Sequence, residues 1–126
     1  MISRILDRLY IGDSSITEED LKSNEIKYLI NVGGVDMGRM GVVSIHHHLT
    51  DDEGNPPWKI FTVLDFLRDY VHSGRTIVIC RAGQSRSVYI VVQWLIQAGM
   101  SPTEALQFVK ERHPIAQVNP GLWRTI

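Results

Sequence analysis

Thr76-Ile77-Val78-Ile79-Cys80 is a β-branched, apolar run with no polar face. A strand of that kind is buried on both sides, which requires a sheet with other elements packed over each of its faces. From Arg86 to Ala98 the chain is apolar nearly all round and Gly99 follows, so a central helix is predicted there. A buried strand that feeds a buried helix through a short loop is the building unit of α/β folds.

The other segments extend that unit. Leu9-Tyr10-Ile11 before Gly12-Asp13 predicts a short edge strand, and Thr17-Glu18-Glu19-Asp20-Leu21 opens a short helix whose acidic first turn suits the helix dipole. Buried strands are expected at 27–32, bounded by Gly33-Gly34, and at 42–45, running into His46-His47-His48. Asn55 as N-cap and Pro56 at the first helical position predict an amphipathic helix over 56–72, with Ile60, Leu64, Leu67 and Val71 on its apolar face. Ser101-Pro102-Thr103-Glu104 is a capping box that opens a last helix, ended by His113-Pro114. No repeat or linker divides the chain. The expectation is one domain over 1–126, of α/β class, with a mainly parallel central sheet flanked by helices.

Composition narrows the function. A chain of 126 residues can bury a core without metal or disulfide staples, and its net charge of −1 excludes the broad basic field of non-specific nucleic-acid binders. No stable nucleic-acid binding is expected, so any anion must be recognised locally. The single cysteine excludes a disulfide framework and a Cys-rich zinc site. The most apolar stretch, Val88 to Met100, carries Gln93 and Gln97 and falls short of the ~20 residues a span requires, so no membrane insertion is expected. Met1-Ile2-Ser3-Arg4-Ile5-Leu6-Asp7-Arg8 is broken by charge too early for a secretory signal, and a cytoplasmic location is expected.

Local anion recognition has an obvious seat. The loop Cys80-Arg81-Ala82-Gly83-Gln84-Ser85-Arg86-Ser87 leaves a strand's carboxyl end and enters a helix N-terminus, a geometry that turns successive backbone N–H groups toward one centre. A phosphate fits such a nest. Cys80 lies where that positive field favours thiolate. Gly83 allows the tight path, Arg86 offers a planar fork to two phosphoryl oxygens, and Ser87 can donate to the sulfur as it leaves. A Cys followed six residues later by Arg is a weak signal by itself. With Gly83, Ser85 and Ser87 in place, it becomes a strong one.

These residues resemble the Cys-x5-Arg phosphate loop of the protein tyrosine phosphatase superfamily, in the Cys-x-x-Gly-x-Ser-Arg-Ser form of dual-specificity phosphatases. The similarity extends to Ile5-Leu6 through Leu9-Tyr10-Ile11-Gly12, to Ile26 through Val32, to Leu49-Thr50-Asp51 and to the tail at Glu104-Ala105, Val109 to Arg112 and Asn119. The resemblance implies a cysteine-phosphatase-like fold. It implies Cys80 as nucleophile, Asp51 as general acid, Ser87 as an aid to thiolate release, and phosphoryl binding by Arg86 with the loop amides of Arg81, Ala82, Gly83, Gln84 and Ser85. Arg81 and Gln84 would face the variable rim. The family's His before the cysteine is replaced by Ile79. Phosphorylated proteins, on Tyr and Ser/Thr, are the expected substrates, through a phosphocysteine and with no metal or cofactor. Alternatives are a non-protein substrate, such as a phosphoinositide or an RNA 5′-phosphate, or a non-catalytic reader of phospho-residues. Only nine residues, 33–41, separate two of the strands, so the site is expected to be shallow. Asp51 is favoured over Asp52, which leads into the turn-like Glu53-Gly54.

Overall fold

The computed structural model describes residues 1–126. Five strands form one sheet: β1 (Ile2–Leu6), β2 (Leu9–Gly12), β3 (Tyr28–Asn31), β4 (Val43–His46) and β5 (Thr76–Ile79), in the spatial order β1-β2-β5-β3-β4. β5 pairs in parallel with β2 and β3, and β3 in parallel with β4; only the β1–β2 hairpin is antiparallel. The sheet is therefore mainly parallel, as expected.

The expected edge strand at Leu9 is corrected by this order. β2 lies between β1 and β5, and all four of its residues are buried. β1 is the edge on that side, and its Ser3 and Arg4 are the residues that hide it from an apolar-run reading. The buried strand expected at 42–45 is corrected too: β4 is the opposite edge, paired only with β3, and its Val43, Ser44 and His46 are exposed.

The strands' two faces build two cores. On one face α2 (Pro57–Ser73), α3 (Arg86–Gln97), α4 (Pro102–Arg112) and the short α5 (Pro120–Trp123) cover a cluster that includes Leu9, Ile11, Ile30, Val78 and Val91. On the other, α1 (Glu18–Ser23) contributes Leu21 to a smaller cluster with Tyr10, Ile16, Ile26, Leu29, Ile77 and Ile79. α3 buries Ser87 through Val92 and Leu95, the central position that its composition predicts.

Caps fix where the helices begin. Thr17 with Asp20 and Ser101 with Glu104 each form a reciprocal capping box, satisfying N–H groups that a helix start leaves unpaired. α2 departs from expectation. Its N-cap is Pro56 and its first residue Pro57, because the Asn55 side chain turns back instead, donating to Thr50 O at 2.8 Å and accepting from Thr50 N at 2.8 Å. A proline at the first helical position needs no cap for its missing N–H.

Candidate active site

Strand parity places the thiol. Along β5, Ile77 and Ile79 point to the smaller core, whereas Val78 and Cys80, just past the strand's end, belong to the larger one under α3. Cys80 is a free thiol, 3% exposed, and its Sγ stands 3.2 Å from the Oγ of fully buried Ser87 in the first turn of α3. The sequence's two proposed sulfur-handling residues are thus in direct contact.

The loop between them is held by its carbonyls. Arg81 O accepts from the backbone N–H of Ser14 at 3.2 Å and from its hydroxyl at 3.1 Å. Gly83 O accepts from His113 Nε2 at 2.6 Å, and Gln84 O from Gln117 N at 2.8 Å. In a trans peptide the carbonyl and the following N–H point in opposite directions, so each tie aims the N–H of Ala82, Gln84 or Ser85 away from the protein body. The N–H groups from Ala82 to Arg86 have no protein acceptor. They are available to an anion. Gly83 takes φ +67°, and a Cβ there would stand 3.1 Å from Gly12 O, which restricts the position to glycine.

Ser85 occupies the N-cap of α3 but its side chain caps nothing. Its hydroxyl donates to Asp51 Oδ1 at 2.5 Å and accepts from Asn119 N at 2.8 Å. The helix start therefore keeps its own N–H groups, with the positive end of the dipole facing the loop. Arg86 is tied on its Nη1, which donates to Leu49 O at 3.1 Å. Through Ser85 and Arg86 the loop reaches both Leu49 and Asp51, so the segment expected to carry the general acid does lie over the nest.

The two candidate acids differ sharply in surroundings. Asp52 accepts from Gly54 N at 2.7 Å and from Thr50 Oγ1 at 2.8 Å, and these bonds hold its carboxyl below the usual carboxylate range. It is committed to its own turn. Asp51 alone of the pair contacts the loop.

The histidine tract diverges to separate tasks. His46 Nε2 donates to Gly33 O at 2.6 Å, while the His47 ring meets Trp58 edge-on at 6.3 Å. His48 lies against Gly34, where a Cβ would stand 3.3 Å from its Nε2. Partial burial of the ring, then the Arg86 guanidinium, then Lys59 and His46, push the His48 pKa below the ordinary imidazole value. Gly33 itself runs so close to the loop that a Cβ would stand 3.0 Å from Arg81 N and 3.1 Å from Cys80 Cα. The side chains of Arg81 and Gln84 lie at an exposed rim.

Sequence reasoning missed the loop's supports. Ser14 and Gln117 act wholly or partly through backbone N–H groups, which any residue supplies. His113 reads only as the end of a helix, and its burial, which calls for partners on both ring nitrogens, is visible only in the structure.

A profile of the family "Dual specificity phosphatase, catalytic domain" matches residues 9–126. The chain is 30% identical over 133 aligned residues to dual specificity protein phosphatase 18 of Bos taurus, covering 99% of this chain and 70% of that protein. It is 28% identical to the protein-tyrosine-phosphatase MKP1 of Arabidopsis thaliana, covering 94% of this chain and 16% of that one. A crystal structure of a mouse putative dual specificity phosphatase, complexed with zinc tungstate, superposes with a TM-score of 0.88 at 26% identity, covering 98% of this chain and 82% of the other.

Proposed function

This chain belongs to the dual-specificity phosphatase family, a class of cysteine-based, metal-independent protein phosphatases, and on that premise we propose that its reaction runs through a phosphocysteine on Cys80. The observation that carries the proposal is the coincidence, at one loop, of the Cys80 thiol, the Ser87 hydroxyl at 3.2 Å and five N–H groups without protein acceptors. Substrates are phosphorylated proteins.

In the first step the Cys80 thiolate attacks phosphorus in line with the ester oxygen. Negative charge on the three equatorial oxygens is met by the N–H groups from Ala82 to Arg86 and by the Arg86 N–H groups not used on Leu49. A planar guanidinium bonds two of those oxygens at once. Asp51 gives its proton to the leaving oxygen, and the S–P bond forms as the P–O bond breaks. In the second step ionised Asp51 takes a proton from water, which attacks the phosphocysteine. The Ser87 hydroxyl donates to the departing sulfur, and phosphate and thiolate are regenerated.

Asp51 begins this cycle bonded to Ser85, 2.5 Å away. Entry of a phosphoester places the leaving oxygen beside the same carboxyl, so the acid moves little. A cytoplasmic location follows the same reading, since a lone nucleophilic thiol suits a reducing compartment. No helix is long and apolar enough to cross a membrane.

The test is hydrolysis of an aryl phosphate in EDTA, its block by vanadate, and mass detection of phosphate on the Cys80 peptide after acid quench. Turnover without labelled Cys80 refutes the intermediate. A panel of phosphopeptides, phosphoinositides and 5′-phosphorylated RNA then separates protein from non-protein substrates, and binding without turnover on every member identifies a reader.

A further inference from the structure

His113 is fully buried, lies thirty residues from Gly83 in sequence, and has both ring nitrogens engaged. Its Nε2 stands 2.6 Å from Gly83 O and its Nδ1 2.7 Å from Ser3 Oγ. A carbonyl oxygen can only accept, so Nε2 carries the proton. With Nε2 protonated, neutral imidazole leaves Nδ1 as acceptor and Ser3 as donor. The ring thus spans from β1 at one edge of the sheet to the middle of the phosphate loop.

We propose that His113 is a positioning residue for phosphoryl binding: by donating from Nε2 to Gly83 O, with Ser3 fixing the ring, it sets the Gly83–Gln84 peptide so that the Gln84 N–H faces the phosphoryl group. Three points support it. Gly83 sits at φ +67°, a conformation open to peptide rotation because glycine has few steric barriers, so the loop's middle peptide needs an external tie. The tie is to the carbonyl, and the peptide's planarity transmits it to the Gln84 N–H. The neighbouring ties use Ser14 and Gln117, so no other group reaches this carbonyl. The inference rests on the reading of 80–86 as a phosphate loop.

Two substitutions separate positioning from packing. In His113→Gln the terminal amide nitrogen reaches about as far as Nε2, whereas in His113→Asn it reaches only as far as Nδ1, keeping Ser3 and losing Gly83. The readouts are steady-state kinetics on p-nitrophenyl phosphate and vanadate inhibition, with melting temperature measured in parallel. His113→Asn is expected to lose about tenfold in kcat/KM and in vanadate affinity, the size of one charge-directed hydrogen bond, with His113→Gln within about threefold of the parent. Equal losses in both variants, or none in either, overturn the proposal. Independently of folding in the variants, the wild-type imidazole nitrogens are read by long-range proton–nitrogen correlation at pH 7. A protonated Nε2 supports the assignment, and an unprotonated one overturns it. If wild-type protein binds no vanadate, the phosphate-loop reading fails instead, whatever the His113 tautomer.

Discussion

The two halves of the site are built by opposite means. The anion half, from Cys80 to Ser87, begins and ends in the core, and its carbonyls are tied to three distant residues, Ser14 near the start of the chain and His113 and Gln117 after α4. The proton half, from Thr50 to Asn55, is largely exposed and holds itself together by local bonds among Thr50, Asp52, Gly54 and Asn55. Only Leu49 O and Asp51 reach across to the loop. In the proposed mechanism, charge recognition, which must be in place before substrate arrives, is anchored in the sheet. Proton transfer in that mechanism falls to a surface turn stiffened from within, and removing a member of one half is expected to leave the other half working.

The largest expected effect falls on the anion half. Cys80→Ser should abolish turnover, a loss beyond the ~10⁴-fold that proton-transfer residues supply, yet retain vanadate or phosphate binding within about threefold because the N–H groups and Arg86 remain. Activity surviving in Cys80→Ser removes it as nucleophile. Next is Asp51→Ala, expected to cost about 10²–10⁴-fold on an alkyl phosphate such as phosphoserine and much less on a p-nitrophenyl ester, whose leaving group needs little protonation. Equal losses on both esters break the division of labour. Asn55→Ala is smaller: it removes the reciprocal bonds to Thr50, so kcat on phosphoserine should fall about tenfold while vanadate affinity stays within about twofold. A parallel loss of vanadate affinity would show that the halves are coupled.

The smallest effect is expected at Asp52. Its folded-state pKa is held below 3.8, the unfolded value, so its contribution to stability is present above that pH and is lost as pH falls through the lower folded value. Asp52→Asn should therefore flatten this part of the acid dependence of melting temperature and change kcat on phosphoserine at pH 7 by less than about twofold. A large loss of the leaving-group dependence in Asp52→Asn would move the acid role from Asp51 to Asp52.

What is legible in the sequence follows the range of each interaction. The capping boxes at Thr17 and Ser101 join residues three apart, and the β5 run with its loop is contiguous, so both are written in short strings. Asp51 reaches its partner Ser85 across 34 residues, and only the family resemblance located it in the sequence. The Asn55 cap is misread because two local partners compete for one amide: the start of α2 and the backbone of Thr50. β1 escapes because its apolar run is broken on both faces, by Arg4, which is exposed, and by Ser3, whose hydroxyl bonds the buried His113 ring. The ties from Ser14 N and Gln117 N carry no residue signature at all.

The carbonyl ties also set an order in time. A chain made from its amino end exposes Cys80 and the whole of 80–86 well before His113, Gln117 and Asn119 have been added. Until those residues arrive, two of the three carbonyl anchors and the backbone partner of Ser85 do not exist. The nascent polypeptide thus carries its thiol without a finished cradle for phosphate, and chemical competence arrives with the last-made part of the domain. Cleavage between α3 and α4, if it released the tail, would run that order backwards: the proposed nucleophile would stay on one fragment and the struts that tie its loop would leave on the other.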